Sequence, residues 1–268
     1  MRIILVTGGN RGIGLEICRQ LESLGHTVIM GSRHLEKGQE AAEAFCKNVV
    51  VQQLDVTDEL SIMRLYAFIH ENYGRLDVLI NNAGIGESIQ SGAQTTTVRI
   101  REILVRKCSG IWKIARTTVP FMRRTGIIAR NDKAETVSID KVKLLYDTNL
   151  FGSWRMIQAF IPLLEKSEKG QIINISSGSG SLNALSGSYP AYSMSKASLN
   201  ALTLMFSNEL KGKGISVNAM CPGWVKTDMG GPLAPLQAWQ GADTAVWLAD
   251  SEDLPTGKFF KNREEIGW

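Results

Sequence analysis

Short apolar runs rich in β-branched residues alternate along the chain with longer stretches in which apolar positions recur every three or four residues. Ile3 to Thr7 is the first run, and a helix is predicted after it, where Ile13, Ile17, Leu21 and Leu24 fall four, four and three apart on one helical face. Thr27 to Met30, Val49 to Leu54, Val78 to Asn81, Gln171 to Ile175, Ser216 to Met220 and Gly257 to Phe260 are predicted as further strands, separated by helical or loop sequence. These runs are apolar at nearly every position rather than at alternate ones. Strands of that kind are buried on both faces. The order βαβα therefore predicts an α/β fold of the Rossmann type, a doubly wound parallel sheet with helices on each side. Ligands of such sheets sit beyond the carboxyl ends of the strands. No linker or internal repeat interrupts the pattern, so residues 1–268 are expected to form one domain.

The rhythm breaks once, between the fourth strand and the next long helix, over Ser88 to Glu135. Ten Lys or Arg side chains against three acidic ones give this insertion a charge of +7, so the rest of a chain whose total is +4 carries −3. Within it Ile100, Leu104, Cys108, Ile111 and Ala115 share one helical face while Arg99, Arg106, Lys113 and Arg116 share the other. The pattern predicts a basic amphipathic helix that ends before Pro120. Two roles stay open for it: packing on the protein's own surface, or a peripheral contact with an acidic membrane or a partner, including a second copy in a homo-oligomer.

Composition narrows the class. With 44% hydrophobic and 21% charged residues the chain has the balance of a soluble globular domain, which excludes disordered, collagen-like and coiled-coil classes. The small net charge gives no reason to expect nucleic acid as a partner. Cys18, Cys46, Cys108 and Cys221 lie far apart without a C-x-x-C pair, and His26, His34 and His70 do not cluster, so neither a metal site nor a disulfide framework is expected. No apolar run approaches the length of a membrane span, and Met1 to Thr7 passes straight into a strand pattern rather than a leader. A cytoplasmic location is expected.

Candidate chemistry sits at three places. Thr7-Gly8-Gly9-Asn10-Arg11-Gly12-Ile13-Gly14 follows the first strand and opens the first helix, the setting in which glycines bring backbone N–H groups and a helix N-terminus up to a pyrophosphate. Tyr192 and Lys196 are four apart, hence on one helical face. An ammonium beside a phenol favours the phenolate, so Lys196 is expected to lower the pKa of Tyr192 and make it a proton donor and acceptor. Gly31-Ser32-Arg33, ending the second strand, offers a hydroxyl and a guanidinium where an enzyme that prefers NAD carries an acidic residue, which suits a 2′-phosphate.

Taken together, T-G-x-x-x-G-x-G, Asn81-Asn82-Ala83-Gly84, Ser176-Ser177 at a strand end and Tyr192-Ser193-Met194-Ser195-Lys196 resemble the short-chain dehydrogenase/reductase family over nearly the whole chain except the insertion. The stretch Cys221 to Asp228 and the ending Gly257 to Phe260 look most like its NADPH-dependent carbonyl reductases. The resemblance implies a reductase that moves hydride from NADP(H) to an aldehyde, ketone or quinone. It implies Ser177 as the residue orienting the carbonyl, fifteen before Tyr192, with Ser179, thirteen before it, as the rival. Asn149 would complete a relay to Lys196. Cofactor contacts would come from Gly8, Asn10, Arg11, Gly12, Ile13 and Gly14, from Arg33, from Asp55 and Val56 at the adenine, and from Asn82, Ala83 and Gly84, with Asn81 lining the adenosine side. Tyr192, Lys196, Pro222, Gly223, Val225 and Thr227 would hold the nicotinamide end. Ile85 to Ile89, Leu182 to Tyr189 and Met229 to Trp239 would wall a pocket for a small-molecule carbonyl substrate. The alternative is a nucleotide-binding scaffold or redox sensor acting through the basic insertion.

Overall fold

A computed structural model describes residues 1–43, 45, 48–87, 132–253 and 255–268. In it the apolar runs lie side by side in one sheet. β1 (Ile3–Thr7), β2 (Thr27–Ser32), β3 (Val49–Gln53), β4 (Val78–Asn81), β5 (Gly170–Ile175), β6 (Ile215–Met220) and β7 (Phe259–Lys261) run parallel, and β8 (Glu264–Ile266) returns antiparallel on β7. The order across the sheet is β3-β2-β1-β4-β5-β6-β7-β8. The chain thus winds outward from β1 in one direction and from β4 in the other. Where the direction reverses, between β1 and β4, a doubly wound sheet opens a crevice.

The helices are α1 (Gly12–Ser23), α2 (Leu35–Ala42), α3 (Glu59–Tyr73), α4 (Ile139–Tyr146), α5 (Ser153–Leu164), α6 (Pro190–Leu210) and α7 (Ala238–Asp250). Alternate strand residues divide between two cores. Leu5, Ile29, Leu79, Ile172 and Val217 pack with Leu65 of α3, Phe160 of α5 and Leu202 of α6. Ile4, Val6, Val28, Met30 and Ile173 pack with Ile17 and Leu21 of α1 and Leu248 of α7. Because both faces are covered, every one of these side chains leaves water, at roughly 1.5–3 kcal/mol each for the larger ones.

Two elements depart from the sequence pattern. The long helix expected after the insertion is present from Ile139 to Leu164, but Asp147–Gly152 within it widens into a π-helical turn between α4 and α5. Val56 crowds this turn, since a Cβ on Gly152 would stand 2.7 Å from Val56 Cγ2. The last strand begins later than expected, and β8 follows it through a two-residue turn, Asn262 and Arg263, both with positive φ (52° and 64°). Asn-Gly is the usual signal for such a turn. Arginine at the second position hides it.

The basic amphipathic helix expected from Ile100 to Arg116 lies outside the described residues. Among those described, no helix is long and apolar enough to cross a membrane, and no three His, Cys, Asp or Glu side chains stand together as metal ligands would.

Candidate active site

Parallel strands deliver their following loops to one edge of the sheet. The glycine loop follows β1, Arg33 follows β2, Asp55 and Val56 follow β3, Asn82 to Gly84 follow β4, Ser177 follows β5, and Pro222 to Thr227 follow β6. The residues singled out from sequence therefore converge at the carboxyl end, around the crevice.

Asn82 ties the glycine loop to the far side of that crevice. Its side-chain Nδ2 donates to the carbonyls of Thr7 (2.9 Å) and Gly8 (3.1 Å), while the Thr7 hydroxyl accepts from the N–H groups of Asn82 and Ala83, both at 2.9 Å. Gly8 has φ +64°, a backbone region that favours glycine. A Cβ on Gly14 would lie 2.4 Å from both Asn82 Nδ2 and the Gly8 carbonyl. The loop is thus bare backbone curled under the start of α1, and this cradle fits a pyrophosphate.

Tyr192 and Lys196 lie one turn apart on α6, with the Lys196 Nζ 5.9 Å from the centre of the tyrosine ring. Ser177 lies beside the Tyr192 hydroxyl, near enough to lower the phenol's pKa. Ser179 is exposed and donates its N–H to Ser177 Oγ at 3.1 Å, so it supports Ser177 rather than competing with it. The expected electrostatics are corrected here. Burial pushes the Tyr192 phenol up to about 12, partly offset by Ser177, and Lys196 does not reverse this. Lys196 is itself buried, which pushes its ammonium down to about 8 while Nζ donates to the Ile175 carbonyl at 2.7 Å. Desolvation is the largest cause at both groups.

Asn149 lies in the π turn and is fully buried. Its Oδ1 accepts from the Ile85 N–H at 2.8 Å, and its Nδ2 donates to the Ile85 carbonyl and to Ser195 Oγ, both at 3.0 Å. A Cβ on Gly84 would be 3.3 Å from Asn149 Oδ1 and 3.7 Å from Lys196 Nζ, so Asn149 and Lys196 close on the same backbone.

Other expected contacts fall differently. Ser32 is completely buried and its hydroxyl donates to the His34 carbonyl at 2.8 Å, so only Arg33 of that pair is exposed to meet a phosphate. Asn81 does not line a ligand edge. Its Nδ2 donates inward to Asn174 Oδ1 at 2.9 Å, and Asn174 in turn donates to Thr203 Oγ1. Arg11 is exposed and pairs with Asp228 at 2.7 Å, which joins the glycine loop to the loop after β6. Asp55 Oδ1 holds the turn before α3 by accepting from the N–H and the hydroxyl of Thr57. The side chains of Val56 and Val225 are buried, against Gly152 and Gly241 respectively. Thr227 Oγ1 bonds within its own loop, donating to the Val225 carbonyl and accepting from the Gly230 N–H. Pro222 and Gly223 are partly exposed there.

Sequence reading passed over Asn200 and named Thr7, Ser195 and Glu87 only within longer stretches, without a role of their own. Asn200 holds the loop that carries Ser177, accepting from Ser176 Oγ at 2.5 Å and donating to the Gly180 carbonyl at 3.2 Å. Its position four beyond Lys196 on α6 is the signal that could have found it.

Comparison with known proteins finds relatives over the whole chain. The family model for short chain dehydrogenase matches residues 2–130 and 124–237. A (+)-neomenthol dehydrogenase of Capsicum annuum is 32% identical over 313 residues, covering 98% of this chain and 96% of its own. The carbonyl reductase [NADPH] 1 of Sus scrofa is 29% identical over 293 residues, covering 100% and 94%. Among solved structures, an NADPH-bound carbonyl reductase from chicken fatty liver superposes with a TM-score of 0.76 at 28% identity, covering 100% of this chain and 99% of that one.

Proposed function

The chain belongs to the short-chain dehydrogenase family, and on that premise we propose that it reduces the carbonyl group of a small apolar aldehyde, ketone or quinone with NADPH, and oxidises the alcohol in reverse. The observation that carries this reading is Tyr192, with Ser177 beside its hydroxyl and Lys196 one turn later, next to a crevice whose other wall is a glycine loop shaped for phosphates.

Bound in the crevice, reduced nicotinamide would supply a hydride to the carbonyl carbon. The cradle of Gly8, Gly12 and Gly14 with the N-terminus of α1 would hold the pyrophosphate, and Arg33, aided by Arg11, would hold the 2′-phosphate. Asp55, Val56 and Asn82 to Gly84 would line the adenosine side, and Pro222, Gly223, Val225 and Thr227 the nicotinamide side.

At the reacting oxygen Ser177 fixes the carbonyl in hydrogen-bond reach of the phenol. Tyr192 then donates its proton to the oxygen as charge builds there. A phenol whose pKa is pushed up to about 12 is fully protonated at neutral pH, the state that reduction requires. In the alcohol direction the same group must first lose that proton. Lys196, fixed by the Ile175 carbonyl, holds a positive charge one turn from the phenol, and Asn149 keeps the loop after β4 closed on it. Leu182, Leu185, Met229 and Leu233 stand exposed on the loops after β5 and β6, an apolar rim that suits an apolar substrate.

NADPH oxidation measured against a panel of aldehydes, ketones and quinones, with neomenthol tried in the reverse direction, tests the reading. Turnover of any of them supports it. NADPH binding without turnover across the panel supports the nucleotide-binding scaffold instead.

A further inference from the structure

The helix that carries Tyr192 and Lys196 starts without an ordinary cap. Tyr189, the residue before it, sits in the left-handed region (φ 53°, ψ 50°) and its side chain caps nothing, while Pro190 at the first position has no N–H. The Ser193 N–H is taken by the Tyr189 carbonyl at 2.8 Å. The Tyr192 N–H instead donates, at 2.9 Å, to Oε1 of Glu87, 105 residues earlier in the chain. Glu87 is 9% exposed, and its other oxygen is buried with no hydrogen-bond partner among the described residues. A buried carboxylate so thinly satisfied is costly, and the positive end of a 21-residue helix offsets part of that cost.

The same short loop meets every member of the site on α4 to α6. Gly84 backs onto Lys196, Ile85 is held at both backbone groups by Asn149, Gly86 packs against Met229, and Glu87 holds the amide of Tyr192. We infer that Glu87 is a positioning residue for the proton transfer: by gripping the Tyr192 N–H it sets the phenol at a fixed height over the loop that lines the crevice. This rests on the reductase reading above.

Glu87→Leu keeps the bulk and removes the acceptor, whereas Glu87→Gln keeps an acceptor. A misplacement of about 1 Å at a reacting group can cost up to about a hundredfold in rate. For the Leu variant kcat should fall about ten- to hundredfold with NADPH affinity within about threefold of the parent, and Gln should restore kcat to within about threefold. Hydrogen exchange at the Tyr192 amide, which reads the contact independently of catalysis, should quicken at least about tenfold in Leu and stay near the parent rate in Gln. If Leu does not fold, Glu87→Ala carries the same pair of measurements. A folded variant lacking the acceptor that keeps kcat within about twofold of the parent, unchanged exchange at Tyr192, or equal losses in Leu and Gln each overturns the assignment. A parent protein that reduces no carbonyl compound overturns the reductase reading instead, and the exchange measurement still reports on the Glu87 contact.

Discussion

Lys196 is the residue at which burial and charge conflict most directly. Its ammonium, pushed by desolvation to about 8 from 10.5, makes the unfolded chain bind more protons than the folded one between those values. Stability therefore rises with pH across that window, is fully recovered above it, and is lost as pH falls through about 8. Lys196→Met should accordingly melt higher than the parent at pH 7, with the difference shrinking towards pH 10; calorimetry at both values checks this, and turnover should be lost throughout. Tyr192→Phe should lower kcat about 10²- to 10⁴-fold while NADPH titration gives nearly the parent affinity, because only the proton is removed. Arg33→Asp should weaken NADPH by about ten- to hundredfold and move preference towards NADH, as binding to each cofactor would show, since a charge-assisted contact contributes about 1.5–3 kcal/mol. Tyr192 and Lys196 were legible because four-residue spacing on a helix survives any tertiary context. The inward turn of Ser32 and the reach of Glu87 to Tyr192 were not, because each is decided by a neighbour distant in sequence or by a side-chain rotamer.

Elements were legible to the degree that they are buried. Ile3 to Thr7 and Val78 to Asn81 fall where their apolar runs do, since a strand covered on both faces cannot place a polar residue without cost. The π turn could not be read ahead: one extra residue turns the apolar stripe by about 100°, but six residues are too few for that step to show as a change of period. Its presence has a testable consequence at Gly152, where an added methyl would meet Val56 at 2.7 Å and 3.1 Å. Gly152→Ala should destabilise by about 1–3 kcal/mol in urea unfolding, the usual cost of overpacking, and should slow turnover by displacing Asn149 from Ile85. β8 escaped notice for another reason: three residues are too few for a period to show, and its turn lacks the expected glycine.

At the scale of the molecule, a sheet that reverses direction once collects loops from six strands at one edge, which is why residues from position 8 to position 227 share a crevice. The two outer strands of that sheet are not equivalent. At one end β8 is three residues long and carries Glu264 and Glu265, with Glu265 paired to Lys258 at 2.7 Å. A strand from a second molecule approaching it meets negative charge and a short ladder. At the other end β3 reads Val-Val-Val-Gln-Gln, partly exposed throughout, uncharged, and paired on one side only among the described residues. Long uncharged β-branched edges recruit other chains, whereas short charged edges repel them. Self-association on heating or during refolding is therefore expected to begin at Val49 to Gln53, on the side of the sheet away from Glu264, and Val50→Lys should reduce light scattering during heating.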